Sequence, residues 1–412
     1  MAARAGDPPG RWAALAAIGT GTLLAFAPWF SASAVGPLLA VEWRTEGLQL
    51  PLLTVAVQLG FAIAALAVAI SAAADVVPGP RLFFIGAVIA AIGNLGFAAV
   101  AGDATAALPW RALTGAGIAL VYPVAIKLIA GWFRVGRGLA VGTLIGALTV
   151  GSALPHLFRA LGALGGLDWR AVVIAASAAA LVGGSIVAVF AKPGPLETPA
   201  SRFSVSVAVT AFREPAVRLA NLGYLGHMWE LYAMWTWVPA FIAASFAAAG
   251  SADPSSAALA SFAVVGVGGL GCVAAGALAD RFGRTTLTIL AMAASGTCAV
   301  AIGFLFGAPP WVVLAVAIPW GLTVVADSAQ FSAAVSELAP PGTAGSALSV
   351  QVAVGFILTG VTIVGVGLVG PGDGLGWRLA FGSLAIGPAI GVWAMWRLRQ
   401  RPDALKMANG HR

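Results

Sequence analysis

The sequence predicts an all-α polytopic membrane protein, with twelve transmembrane helices arranged as two parallel six-helix repeats. Three observations carry that prediction. The 412 residues are 60% hydrophobic and only 9% charged, whereas a soluble domain is charged at about 25% of its positions. Apolar runs of roughly 20 residues, the length that crosses a bilayer as a helix, recur from end to end. Three short motifs also recur, in order and at nearly one offset, between the two halves of the chain. A membrane barrel would alternate apolar and polar residues instead.

The first half supplies spans at about 13–38, 50–73, 82–101, 106–130, 139–161 and 169–191. The polar start "MAARAGDPPGRW" runs straight into the first of them and is not expected to be a cleaved signal. Residues 192–217, "AKPGPLETPASRFSVSVAVTAFREPA", are rich in Pro, Ser and charge and read as a cytoplasmic linker. Within it "RFSVSVAVTAFR" suits a segment lying along the membrane surface. The second half supplies spans at about 218–245, 256–278, 286–307, 311–335, 344–369 and 377–397. The expected organisation is one bundle over 1–191, the linker, and a second bundle over 218–412.

The net charge of +7 does not point to nucleic acid, because the basic residues sit in short loops and at the tail. Arg4, Arg11, Arg81, Arg134, Arg137, Lys192, Arg202, Arg213, Arg281, Arg284, Arg397, Arg399, Arg401 and Lys406 all fall on one side of the predicted topology. The positive-inside rule makes that side the cytoplasm and puts both termini there, in a bacterial-style inner (plasma) membrane. Cys272 and Cys298 lie far apart in apolar spans and read as buried free thiols.

The internal echoes are "AAADVVPGPR" at 72 with "ALADRFGR" at 277, "PWRALTG" at 109 with "PWGLT" at 319, and "DWRAV" at 168 with "GWRLAF" at 376. Their offsets are 205, 210 and 208 residues. Parallel six-span repeats are the pattern of rocking secondary transporters with a midplane site between the halves.

"GALADRFGRTTL" after span 8 resembles the loop signature of the major facilitator superfamily, on Gly276, Leu278, Asp280, Arg281, Gly283 and Arg284. "RALTGAG" in span 4 resembles that superfamily's second motif, with Arg111, Gly115 and Gly117 in place. With twelve spans and a central loop the resemblance covers the chain. The first-half copy of the loop signature keeps only Asp75 and Arg81, and the Gly-Pro pair that marks many drug antiporters is missing from span 5. The signature of dedicated nitrate carriers is absent too. "YPVAIKLIAGWF" with "RGLAVGTLIGA" looks similar to the branch that handles small anions such as cyanate and carboxylates. The resemblance implies alternating access, no enzymatic activity, and a cavity lined by span 7.

The physical reading of the loop motif is a clasp: Asp280, Arg281 and Arg284 around a turn at Gly283, bonding the neighbouring half in one conformational state. The simpler reading is basic residues holding the loop to anionic lipid.

An ionisable residue at the bilayer centre costs about 2.5–3.5 kcal/mol on insertion scales, so each asks for a reason. In "GYLGHMWELYAMWTWVP", Glu230 lies about 12 residues into span 7, or ~18 Å, near the middle of the core. His227 precedes it by three and shares its face, with Met234 and Trp237 continuing the stripe. The expectation is a proton site at Glu230 with His227, its face turned to the seam between repeats. The alternative is a structural His–Glu pair. Asp327 in span 10 is the second proton candidate, with Gln330 on its face.

Glu337 and Lys127 occupy equivalent inner positions in the two repeats. Lys127 either snorkels or pairs with Glu337 as an inner gate. Arg111, whose fork suits an oxyanion, and His156, on one face of span 5 with Ser152 and Arg159, are substrate candidates. So are Trp29, Tyr122, Tyr232, Trp235 and Gln330. Some of the span 7 tryptophans belong to interfacial belts and some to a chamber wall. An aromatic cage would suit a cation, but the bases Arg111, Lys127, His156 and His227 tilt the reading to an anionic or zwitterionic cargo.

The expectation is therefore a proton-coupled secondary transporter of a small solute, anion favoured. It should act as a monomer in the bilayer, with no cofactor, metal cluster or nucleic-acid partner, and no Walker phosphate loop. Its rival is a proton-driven efflux antiporter for lipophilic compounds. A polytopic enzyme would need chemistry in the loops, which are bare. A receptor would need an added signalling domain.

Overall fold

The computed structural model describes residues 7–71, 76–197, 203–251, 253–370 and 372–411; Arg4, Asp75 and Arg202, named above, lie outside them. The chain is helical throughout these segments. Eleven helical stretches are long and apolar enough to cross a membrane. The first crossing makes the twelfth, divided in two as α1 (Arg11–Ala25) and α2 (Ser31–Trp43). The expected twelve-span layout of two six-helix repeats holds.

The first half continues with α3 (Gln49–Ser71), α4 (Gly79–Val100), α5 (Ala104–Ala130), α6 (Arg137–Leu164) and α7 (Trp169–Phe190). A short helix, α8 (Val205–Arg213), lies in the linker and leads into α9 (Pro215–Ala248). Then come α10 (Pro254–Gly266) with α11 (Gly268–Phe282), α12 (Arg284–Ile302), α13 (Pro310–Thr323) with α14 (Ser328–Leu338), α15 (Ala344–Val369), and α16 (Gly374–Leu384) with α17 (Ile386–Arg399).

The divided spans have sequence causes where proline or glycine clusters. Pro28 follows α1 and removes the N–H that would bond the Leu24 carbonyl. Pro388 does the same just inside α17. Between α10 and α11 the run Gly266, Gly268, Gly269 weakens the helix. The break between α13 and α14, at Val324–Asp327, has no proline in it; Pro319 lies five residues before.

The halves meet along two seams. On one, α6 packs against α10 and α11. A Cβ built on Gly138 would come 2.7 Å from the Gly276 carbonyl oxygen, on Gly142 2.6 Å from that of Cys272, and on Gly146 2.7 Å from that of Gly269. Glycines one turn apart on α6 thus let two backbones touch. On the other seam α3 packs on α15, with the rings of Phe61 and Phe356 4.2 Å apart.

A methyl group is therefore tolerated at some glycines and excluded at others. Gly142→Ala should lower the melting temperature of the detergent-solubilised protein, because overpacking typically costs about 1–3 kcal/mol. Gly365→Ala, where an added Cβ meets nothing within 4 Å, should leave it unchanged or raise it through helix propensity. Equal losses at both positions would contradict the close seam.

Candidate functional site: a closed chamber at the seam

The break in the first span is held by one buried arginine. Arg111, on α5, is fully buried. Its Nη1 donates to the carbonyl of Pro28 (3.1 Å), to Ser31 Oγ (3.1 Å) and to Asn94 Oδ1 (2.7 Å), and its Nη2 donates to the Trp29 carbonyl (2.5 Å). Asn94 passes the network on, donating to the Val173 carbonyl and to Ser177 Oγ, each at 3.0 Å. Arg111 was expected to face the cargo. Its fork is instead committed to carbonyls freed by the break, and it does not line the chamber.

Fixing that break places Trp29 and Phe30 between the halves. Trp29 stacks on Tyr232 at 5.6 Å and meets Phe356 at 5.6 Å. Phe30 meets Trp235 edge-on at 5.6 Å. Below Trp29 lies a cavity walled by Phe26 and Tyr122 from the first half and by Tyr224, Met228, Tyr232, Trp235 and Phe356 from the second. About 30 Å³ of room remains in it, enough for a water or two. Trp29, Tyr122, Tyr232 and Trp235, expected to touch cargo, all line this cavity. Ser328 and Ser332 add hydroxyls, and no charged side chain is in the wall among the described residues.

The chamber face of α9 is thus Tyr224, Met228, Leu231, Tyr232 and Trp235, a helical stripe one residue away from the expected one. The His227–Glu230 stripe faces the interior of the second half, not the seam. Glu230 accepts from Trp320 Nε1 at 2.7 Å and from Ser295 Oγ at 2.8 Å. Met234 is buried, and Trp237 Nε1 donates to the Ile363 carbonyl. His227 does not pair with Glu230. Its Nδ1 lies 2.9 Å from Asp327 Oδ1, both side chains 1% exposed. Asp327 sits at the end of the break between α13 and α14, and neither of its oxygens accepts a hydrogen bond from the described residues. Each member of the pair precedes a wall residue in the chain, His227 before Met228 and Asp327 before Ser328.

On α6 the chamber face begins with Ile145 and Leu148 and continues as Ser152, His156 and Arg159. His156 is buried beyond the cavity, its Nδ1 unpartnered, and Arg159 donates to the Ala34 carbonyl at 2.9 Å.

Against this geometry the comparisons are direct. A family model of the Major Facilitator Superfamily matches residues 14–363. The chain belongs to the Major Facilitator Superfamily. It is a multi-pass membrane protein of that transporter family. The MFS transporter asaE of Aspergillus flavus is 28% identical over 190 residues, a stretch that spans 45% of this chain and 41% of that protein. The xylose transporter XylE of E. coli, in a partially occluded inward-open conformation, superposes with a TM-score of 0.72 at 15% identity, over 94% of this chain and 99% of that one. The proton:xylose symporter XylE bound to 6-bromo-6-deoxy-D-glucose superposes with a TM-score of 0.70 at 16% identity, over 94% and 95%. At these identities the two structures speak to the fold.

In this Major Facilitator Superfamily member the loop motif works differently from the expected clasp. Gly283 turns the chain at φ +87°, a conformation that suits glycine. Arg284 then forks onto Glu337 at 2.6 and 2.7 Å and donates to Gln330 Oε1 at 2.7 Å. Those bonds stay within the second half, and they take Gln330 and Glu337 out of the roles expected for them. It is Asp280 that reaches across: its Oδ2 lies 3.3 Å from where a Gly138 Cβ would stand, in the first turn of α6. A carboxylate there meets the positive end of a first-half helix. Arg281 is exposed and covers the ring of Phe282, and Arg81 is exposed at the start of α4. Lys127 lies 3.5 Å from Glu197 in the linker, whereas the inner-gate reading had paired it with Glu337.

Sequence reasoning missed Asn94, Ser295, Trp320 and Phe356. Asn94 alone carried a signal, as an amide inside an apolar span.

Arg111→Ala should lower the thermal stability of the purified transporter, since each orphaned buried acceptor costs about 1–3 kcal/mol. Arg111→Lys should recover only part, because an ammonium cannot reproduce the fork. Wild-type melting for both variants would show that the break is held by something else.

Proposed function

We propose that the protein is a proton-coupled secondary transporter of a neutral or cationic solute with an apolar or aromatic face. It works by alternating access in the inner (plasma) membrane, with both termini cytoplasmic. The observation that carries this reading is the chamber at the seam. Aromatic rings from both halves close it, and none of the four bases that favoured an anion lines it: Arg111 holds carbonyls, His227 lies against Asp327, Lys127 against Glu197, and His156 is beyond the cavity. Stacking and cation–π contact are what such a wall offers. The Nε1 donors of Trp29 and Trp235 have no acceptor among the described residues, so a cargo with a hydrogen-bond acceptor fits best. The lipophilic-efflux alternative gains weight from the same wall. The sugar handled by the XylE neighbours is a second reading, favoured by those two donors together with Ser328 and Ser332.

Proton coupling rests on Asp327 with His227, and on Glu230 in a supporting place. Both members of the first pair are buried, titratable and one layer behind the chamber wall, at a break in the helix that closes it. Glu230 has two donors already and sits deeper in the second half.

The test uses proteoliposomes with an imposed pH gradient and a panel of lipophilic cations, neutral aromatics, sugars and small carboxylates. Wild-type protein should move a member of the first three classes in response to the gradient. Asp327→Asn should lose gradient-driven accumulation by about tenfold or more while keeping exchange of labelled for unlabelled solute. If Asp327→Asn and Glu230→Gln both retain full gradient-driven transport, the proton assignment fails. Transport of carboxylates alone would overturn the chamber reading.

A further inference from the structure

We propose that the groove between the start of α9 and the end of α17 is a binding site for the phosphate of an anionic glycerophospholipid in the leaflet on the side of the termini. The groove encloses about 440 Å³ and is lined by Pro215, Arg218, Leu219, Leu222, Trp393, Arg397, Gln400 and Arg401. It lies on the opposite face of α9 from the chamber, whose lining on that helix begins at Tyr224, and shares no residue with it.

Its chemistry is graded along the membrane normal. Leu222 and Trp393 lie deeper in their helices. Arg218, Arg397, Gln400 and Arg401 lie toward the ends, where α9 begins and α17 stops. An apolar wall that ends in guanidinium groups matches an acyl chain that ends in a phosphodiester. Trp393 is 52% exposed, so the groove opens on the side where lipid stands, and an interfacial tryptophan suits that depth.

The charge in the groove is largely uncompensated. Arg401 shares its guanidinium with Asp403 at 3.1 Å. No carboxylate lies within ion-pair distance of Arg218 or Arg397 among the described residues, and both are exposed. Two open forks on facing helices suit one phosphate better than either would alone. A soluble phosphate would match the arginines but leave the leucine and tryptophan wall without a partner, so the lipid is the occupant.

The purified full-length protein, stripped into detergent, should be examined by native mass spectrometry with phosphatidylglycerol, with phosphatidylcholine and with inorganic phosphate. Wild-type protein should retain phosphatidylglycerol at least about tenfold more strongly than phosphatidylcholine. Arg218→Gln with Arg397→Gln should bring that preference close to one. A control that removes two exposed bases from the same side of the first half, Arg134→Gln with Arg137→Gln, should keep it. Gel filtration and melting of each variant establish that it is folded, and Arg397→Lys should keep part of the preference. The proposal is overturned by equal retention of the two lipids, by equal loss in the control, or by inorganic phosphate displacing phosphatidylglycerol at equal concentration.

Discussion

A helix broken inside hydrocarbon leaves carbonyls that water cannot reach, and the protein must bond them itself. At Pro28 and Trp29 that duty falls to Arg111. Without its fork the first span could not turn at mid-membrane, and Trp29 and Phe30 would not stand between the halves. The aromatic closure of the chamber therefore depends on an arginine that never touches it. Asn94, on α4, extends the same hold to α7, so four spans of the first half are pinned at one point.

The second half treats its own break differently. Between α13 and α14 the freed Val325 carbonyl accepts, among the described residues, a weak bond from Cys272 Sγ at 3.4 Å besides the turn bond from Ser328 N. Asp327 closes the break with no hydrogen-bond donor on its oxygens among the described residues, His227 Nδ1 lying 2.9 Å from one of them. The Arg111 network holds its break with charge-assisted bonds, whereas this break has only weak or turn bonds on its carbonyl. The two halves share a topology but differ in how their breaks are bonded. The seam of glycines on α6 and α11 adds a contact between backbones, which can slide or part without repacking large side chains.

Much of this architecture was legible in the sequence. Hydropathy fixes the number of spans because the bilayer sets their length, and the loop signature stands where the structure puts its turn. Rotation about the helix axis was not legible. Each residue turns a helix by about 100°, so Met228 and Leu231 face the chamber while His227 and Glu230, one position away, face the second half's interior. Nothing in a single sequence says which of two adjacent stripes meets the other repeat. Rarity also misled: a lone arginine in an apolar span invites a ligand, whereas Arg111 answers a need of the backbone that only the broken span reveals. The pairing of His227 with Asp327 joins residues 100 positions apart and leaves no local trace.

The position of that pair is what recommends it for the proposed coupling. Met228 and Ser328 stand in the chamber wall, and each is the immediate neighbour of one member of the pair. In the coupling proposed above, the event at this site is a change in the contact between Asp327 and His227, which stand 2.9 Å apart. Any shift that follows is delivered to the next residue on each helix, which is a wall residue. The break before α14 gives that shift room, because a helix already interrupted can pivot at little further backbone cost. The proposed coupling therefore needs only adjacent residues on two helices to link the pair to the chamber wall, with no longer path required. This is why the coupling is assigned to Asp327 ahead of Glu230, whose donors Trp320 and Ser295 hold it away from the wall.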